Sequence, residues 1–414
     1  MNRVLLAGGG HAHLIAGPRL AAIAPPGTRV ALLAPSPRLL YSGMMPGWIA
    51  GQYRFDECSI DLRRLALAAG LEWIEDALVD LDVHRREAIG ASGRRHPYDL
   101  LSLNVGSDAA LGEIAPGAAP RVIGAKPFAS FVDDWRRWLE VAPPAPRCAV
   151  VGGGAAAVEI ACALAALCGP GGRLAGGSVT LATRGGRLLP GQSSIAAALA
   201  LRALAARGVA TRTGLRYVGA DGDALRFVAE PEAGGALRAA ARARVDRRDE
   251  APGGAAHDLV RLSADLAIVA TGAGPPAWLG AAARRAGVPV SADGGLSVDA
   301  CLRSIGDDRL FAAGDCAAFV GLEVPRSGVH ALRQGVPLAE SIGRRLQDAG
   351  GGCAPPARYV PRRRALALLN LCDGTAIGAW GPFGAAGAAL WRWKDRIDRR
   401  FVEGFADREE GRAV

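Results

Sequence analysis

Two glycine triplets stand where this chain turns from an apolar strand into an alanine-rich stretch. Gly8-Gly9-Gly10 follows Val4–Ala7 and leads into His11-Ala12-His13. Gly152-Gly153-Gly154 follows Ala149–Val151 and leads into Ala155–Glu159. A glycine triplet there makes a tight turn, lets a pyrophosphate approach the backbone and presents helix N-terminal N–H groups to its charge. One triplet is weak evidence, because glycine-rich turns are common. Two at equivalent points of two strand–turn–helix units predict one polypeptide holding two dinucleotides. That arrangement passes a hydride from a nicotinamide to a flavin.

The side chains around these turns refine the chemistry. In the first unit Gly8 and Gly10 fill the first two glycine positions, and His13 takes the third, so the helix is expected to pack less closely there. In the second, Ala157 fills the third position and Glu159 sits in the first helical turn. Neither unit ends its second strand in the acid that holds a ribose. The first ends in Ala34-Pro35-Ser36, leaving Ser36 or backbone groups. The second ends in Thr183-Arg184, where Arg184 either meets a 2′-phosphate or is solvated, so NADH and NADPH both stay open. Gly314-Asp315, after the strand Leu310–Ala313, offers a carboxylate to ribityl hydroxyls. His11 and His13 belong to the pyrophosphate turn, in a structural or phosphate-contacting role. His330 is a proton-relay candidate.

Eight cysteines occur, none in a C-x-x-C pair. Cys316 and Cys372 either meet over the flavin as a redox relay or are inert core thiols; Cys148, Cys162 and Cys168 are read as packing. The entry into a strand at residue 4, broken at Gly8, does not resemble a secretory leader, so a cytoplasmic, reduced protein is expected.

These groups need an α/β frame. The chain has 414 residues, half of them apolar, 5% aromatic, with a net charge of +9. That suffices for two or three domains. The basic charge suits anionic ligands or membranes. No zinc-finger spacing, RNP-like aromatic motif or basic tail argues for nucleic acid, and no metal set is apparent. Helices are expected over residues 14–24, 60–69, 127–141, 193–207 and 327–347, the last kinked or interrupted at Pro337. Residues 108–120 read as a linker. Residues 229–257, without apolar periodicity, read as an exposed insertion with the composition of a disordered segment. The last helix carries Leu390, Trp393, Ile397, Phe401 and Phe405 on one face, a stripe for the core, a homodimer seam or a membrane surface.

The chain resembles the FAD-dependent pyridine nucleotide-disulfide oxidoreductase superfamily. The resemblance rests on Gly8–His13, Tyr41–Gly47, Ile60–Leu65, Ala270-Thr271-Gly272, Phe311–Cys316, Arg333-Gln334-Gly335, Trp391–Asp395 and Ile397–Phe401. It is similar to the branch of type II NADH dehydrogenases and sulfide:quinone reductases, and more closely to NADH-dehydrogenase-like flavoproteins linked or fused to selenide, water dikinase. The resemblance implies two Rossmann-like domains, the NAD(P) domain inserted in the FAD domain. The expected limits are 1–110 and 263–350 for FAD, 111–262 for NAD(P), and 351–414 for a small C-terminal region. It implies Thr271 and Gly272 in the NAD(P) site, and a helix starting near Gly328 that aims its positive end at the flavin. It also implies a quinone or other acceptor near Gln334 and the loop ending at Pro46. A selenide, water dikinase is the implied protein partner, and a sulfur or selenium redox role through Cys316, or a non-catalytic one, the implied alternatives.

Overall fold

The computed structural model describes residues 2–118, 120–230, 259–272, 274–347, 357–361 and 366–409. Apolar strands flanked by glycine turns build two five-stranded parallel sheets with the same plan. The first runs Leu310–Ala312, Leu100–Leu103, Arg3–Ala7, Arg29–Ala34, Glu72–Glu75. The second runs Arg121–Gly124, Leu266–Val269, Arg147–Val151, Ser178–Ala182, Ala210–Arg212. Each glycine-bearing strand is central and almost wholly buried, as parallel strands covered on both faces require.

The fold is thus the expected α/β pair of Rossmann-like units. One strand falls on the other side of the expected boundary: Leu266–Val269, assigned by sequence to the first unit, lies inside the second sheet between Arg121–Gly124 and Arg147–Val151. The stretch read as a linker also contributes a short strand, Glu113–Ile114, paired with Gly219 and Ala220. The expected insertion near 229–257 lies almost entirely outside the described residues. Its flanks, Ala224–Ala229 and Leu259–Ser263, pair antiparallel.

The helices His11–Ile23 and Gly328–Gln347 pack closely. A Cβ on Gly335 would stand 2.5 Å from the Ile15 Cβ and 2.7 Å from the Ala12 carbonyl oxygen. The second of these helices continues through Pro337 without an interruption. Its glycine-faced contact with the first helix holds it through the missing N–H bond. The helix Phe128–Val141 buries Phe131, Trp135 and Trp138 on its aromatic face, together with Val132, while Phe128 is half-buried.

A three-stranded antiparallel sheet, Ala367–Asn370, Ala376–Trp380 and Phe383–Gly387, precedes the last helix, Ala388–Glu409. This helix does not bury the expected stripe. Phe405 is buried, but Trp393 and Ile397 are 48% and 43% exposed, while Lys394 and Asp398 are only 6% and 5% exposed. The reason is polar satisfaction: Lys394 Nζ donates to Asp398 Oδ2 at 2.5 Å and to the Gly43 carbonyl at 2.7 Å. Tyr53 Oη donates to Asp395 at 2.7 Å, and Arg399 pairs with Glu57 at 3.1 Å, anchoring the helix to the first unit.

Candidate functional site

Both glycine turns open on one cavity of about 2150 Å³. That is roughly twice the upper size of an ordinary small-molecule pocket. On one wall lie Gly8, Gly9, Gly10, His11, Ser36, Gly314, Asp315 and Gly328. On the other lie Gly152, Gly153, Gly154, Glu159, Arg184, Thr271 and Gly272.

The first turn is built from residues that sequence reasoning only partly identified. Gly8 has φ +100°, and a Cβ there would stand 2.3 Å from the Asn104 carbonyl oxygen, so only glycine fits. Asn104 itself was missed. Its Oδ1 accepts from the backbone N–H groups of Ala12 at 3.0 Å and His13 at 3.3 Å, and its Nδ2 donates to the Ala313 carbonyl at 2.8 Å. One buried amide therefore joins the helix start to two strand ends. Nothing local in the sequence distinguishes Asn104, because its partners lie 91 to 209 residues away.

His13 points away from the cavity. Its ring nitrogens lie 2.7 Å from the Gly8 carbonyl and 2.9 Å from Ser102 Oγ. The imidazole thus stands where a third glycine would allow close packing, between the helix start and the strand Leu100–Leu103. His11 lines the cavity, stacked on Phe401 at 6.5 Å and edge-on to Tyr41 at 5.8 Å. Burial lowers the pKa of both histidines to about 4, so both are neutral at physiological pH. Ser36 lines the cavity while its hydroxyl bonds the backbone of Arg38.

Asp315 receives Lys126 Nζ and the Ser107 hydroxyl, the latter at 2.8 Å, all on Oδ2. Burial opposes its charge, but Lys126 and the two hydrogen bonds overcome this and hold its pKa below the ordinary value. Ser327 caps the helix Gly328–Gln347 by accepting from the His330 N–H at 3.4 Å, leaving the positive end of that helix on the cavity wall.

On the opposite wall the Gly154 position is open, with no heavy atom within 4 Å of where a Cβ would stand, and the Thr271 hydroxyl is buried without a partner. Ala157 is fully buried against Gly152 and packs the turn rather than facing the cavity. Glu159 Oε1 accepts from the Asn370 N–H at 2.7 Å. Burial raises its pKa to about 7, against the opposing pull of Lys394.

Several expected residues lie elsewhere. Gln334 is 1% exposed and accepts the Gly314 N–H at 2.6 Å, bracing the turn from behind. His330 is buried against Tyr359, Nδ1 to Oη 2.6 Å, again behind the wall. Pro46 is buried in the short helix Met45–Ile49, and its neighbours Ser42, Gly43 and Met45 face the cavity instead. Cys316 is fully buried, its thiol directed at the Leu103 and Ala313 carbonyls, with its pKa pushed up to about 12. Cys372 sits in a different core cluster, its thiol on the Pro46 carbonyl, so the two cysteines do not meet. Among the described residues no group of acids, histidines or cysteines is arranged to hold a metal.

Two turns on one cavity, an open glycine cradle and an unpartnered Thr271 fit two dinucleotides, and define a two-nucleotide oxidoreductase. The pyridine nucleotide-disulphide oxidoreductase family matches residues 2–335, and the chain belongs to it. It is an FAD-dependent oxidoreductase that uses NAD(P)H. No curated protein matches. Among solved structures, the sulfide:quinone oxidoreductase of Aquifex aeolicus has a TM-score of 0.73 at 16% identity, covering 100% of this chain and 92% of that one. NDH2 of Plasmodium falciparum, solved with NADH, has a TM-score of 0.74 at 13% identity, covering 98% of each chain. A ferredoxin reductase of Rhodopseudomonas palustris has a TM-score of 0.66 at 20% identity, covering 91% of this chain and 82% of that one.

Proposed function

We propose that NAD(P)H at the second glycine turn reduces FAD at the first, and that a quinone-like acceptor then takes the electrons. The observation that carries this reading is the opening of both turns on one cavity. Bound FAD supplies the hydride and electron chemistry; the chain binds, orients and manages protons. The turn at Gly8–Gly10 and the starts of the helices at His11 and Gly328 take negative charge. Asp315 accepts from the ribityl chain. Arg184, on the cavity with no acid at the end of its strand, takes a 2′-phosphate, so NADPH is the preferred donor.

Glu159 holds a proton near neutral pH, and with Oε1 engaged by Asn370 it releases that proton from Oε2 to an acceptor being reduced. Exposed Trp393 and Ile397, flanked by exposed Arg392 and Arg396, seat the protein peripherally on the inner face of a membrane. Among the described residues no helix is long and apolar enough to cross one. The resemblance adds a selenide, water dikinase as partner, checked by co-purification. The central test is anaerobic: the purified yellow protein should bleach with NADPH and, more weakly, NADH, then reoxidise with a quinone. A colourless protein, or a flavin that neither nucleotide bleaches, removes the proposal.

A further inference from the structure

The contact between Asp315 and Lys126 joins the two halves of the molecule. Asp315 ends the first sheet's strand Leu310–Ala312, whereas Lys126 lies between the second sheet's strand Arg121–Gly124 and the helix Phe128–Val141. Both residues line the cavity. The carboxylate side chain is 12% exposed and the lysine 31%. Lys126 Nζ also approaches Ser107 Oγ at 3.2 Å and lies 5.9 Å from the Phe128 ring centre. The bonds from Lys126 and Ser107 both end on Oδ2, which leaves Oδ1 for a ligand.

We propose that Lys126 is a positioning residue of the flavin site, holding Asp315 ionised so that Oδ1 accepts a hydrogen bond from the ribityl chain. This rests on the FAD reading above and extends it to a residue of the nicotinamide half. The argument is one of charge. A carboxyl this buried favours its neutral form unless a cation or donor faces it. The groups facing Asp315 are Lys126, the Ser107 hydroxyl, Arg326 and His11. Arg326 is itself paired with Asp293, and His11 is neutral. Lys126 is therefore the main cation opposing burial. Without it burial favours the protonated carboxyl, which becomes a donor where the ribityl chain needs an acceptor.

The test is the rate of FAD release from the holoprotein, followed by recovery of flavin fluorescence between about pH 8 and pH 6. Wild type and Lys126→Arg should stay flat across that range. Lys126→Met should release FAD roughly tenfold faster at the acid end than at the alkaline end, as expected when binding requires a deprotonated group. Lys126→Met combined with Asp315→Asn should be flat again, because residue 315 no longer titrates. Lys126→Gln carries the same expectation should the methionine variant fail to fold. A flat profile in the Met or Gln variant overturns the assignment while leaving the FAD reading intact. A wild-type protein without flavin removes both.

Discussion

The His13 imidazole ties the first glycine turn to the neighbouring strand, with Nδ1 2.7 Å from the Gly8 carbonyl and Nε2 2.9 Å from the Ser102 hydroxyl. A carbonyl can only accept, so Nδ1 carries the proton, and Nε2 accepts from Ser102. His13→Ala removes both bonds and opens a void, and should cost about 2–4 kcal/mol in urea unfolding. The pH dependence follows from sign. The folded-state pKa is lowered to about 4 from 6.5, so the unfolded chain binds more protons between those values. Stability is complete above about pH 6.5 and falls as pH drops towards 4; the Ala variant should lose less over that window. Equal slopes would contradict this role.

Glu159 should set a pH limb of acceptor reduction. With its carboxyl near 7, the proton-donating form is present below that value and lost above it. Quinone-dependent reoxidation should slow as pH rises past 7, and Glu159→Gln should abolish that limb and lower the rate about a hundredfold or more. The bleaching of the flavin by nucleotide should change little. Loss of bleaching with an unchanged limb would place Glu159 in the donor site instead.

Arg184→Ala tests the donor. Loss of a charge-assisted phosphate contact should raise KM for NADPH about tenfold and leave KM for NADH within about twofold. Equal effects on both nucleotides would return Arg184 to a solvated loop.

The membrane reading rests on Trp393 and Ile397. The double variant Trp393→Ser, Ile397→Ser should lose sedimentation with anionic vesicles while keeping flavin and its reduction by nucleotide. Unchanged sedimentation, or a change in oligomeric state alone, would assign this face to another partner.

The sheets and their glycine turns were legible because parallel buried strands are runs of apolar residues closed by glycine, a local pattern. The lining of the cavity was most legible where chemistry and turn coincide, as at Gly8–Gly10, Gly152–Gly154 and Asp315. Lys126 and Asn104 were not, because a carboxylate's counter-ion and a backbone-bridging amide are chosen by tertiary packing. The last helix misled for a related reason. Its apolar stripe obeyed helical periodicity, but Lys394 turns inward to donate to the Gly43 carbonyl and to Asp398, which leaves Trp393 and Ile397 outside. Gln334 and His330 were placed one layer too near the chemistry, since the sequence locates a residue on a helix but not which side of the cavity wall it serves.

The Asn370 N–H that engages Glu159 and the Lys394 that reaches Gly43 both come after the two parallel sheets in chain order. During synthesis the nucleotide-binding halves therefore emerge and fold first, and the contacts that brace Glu159 and Gly43 arrive last.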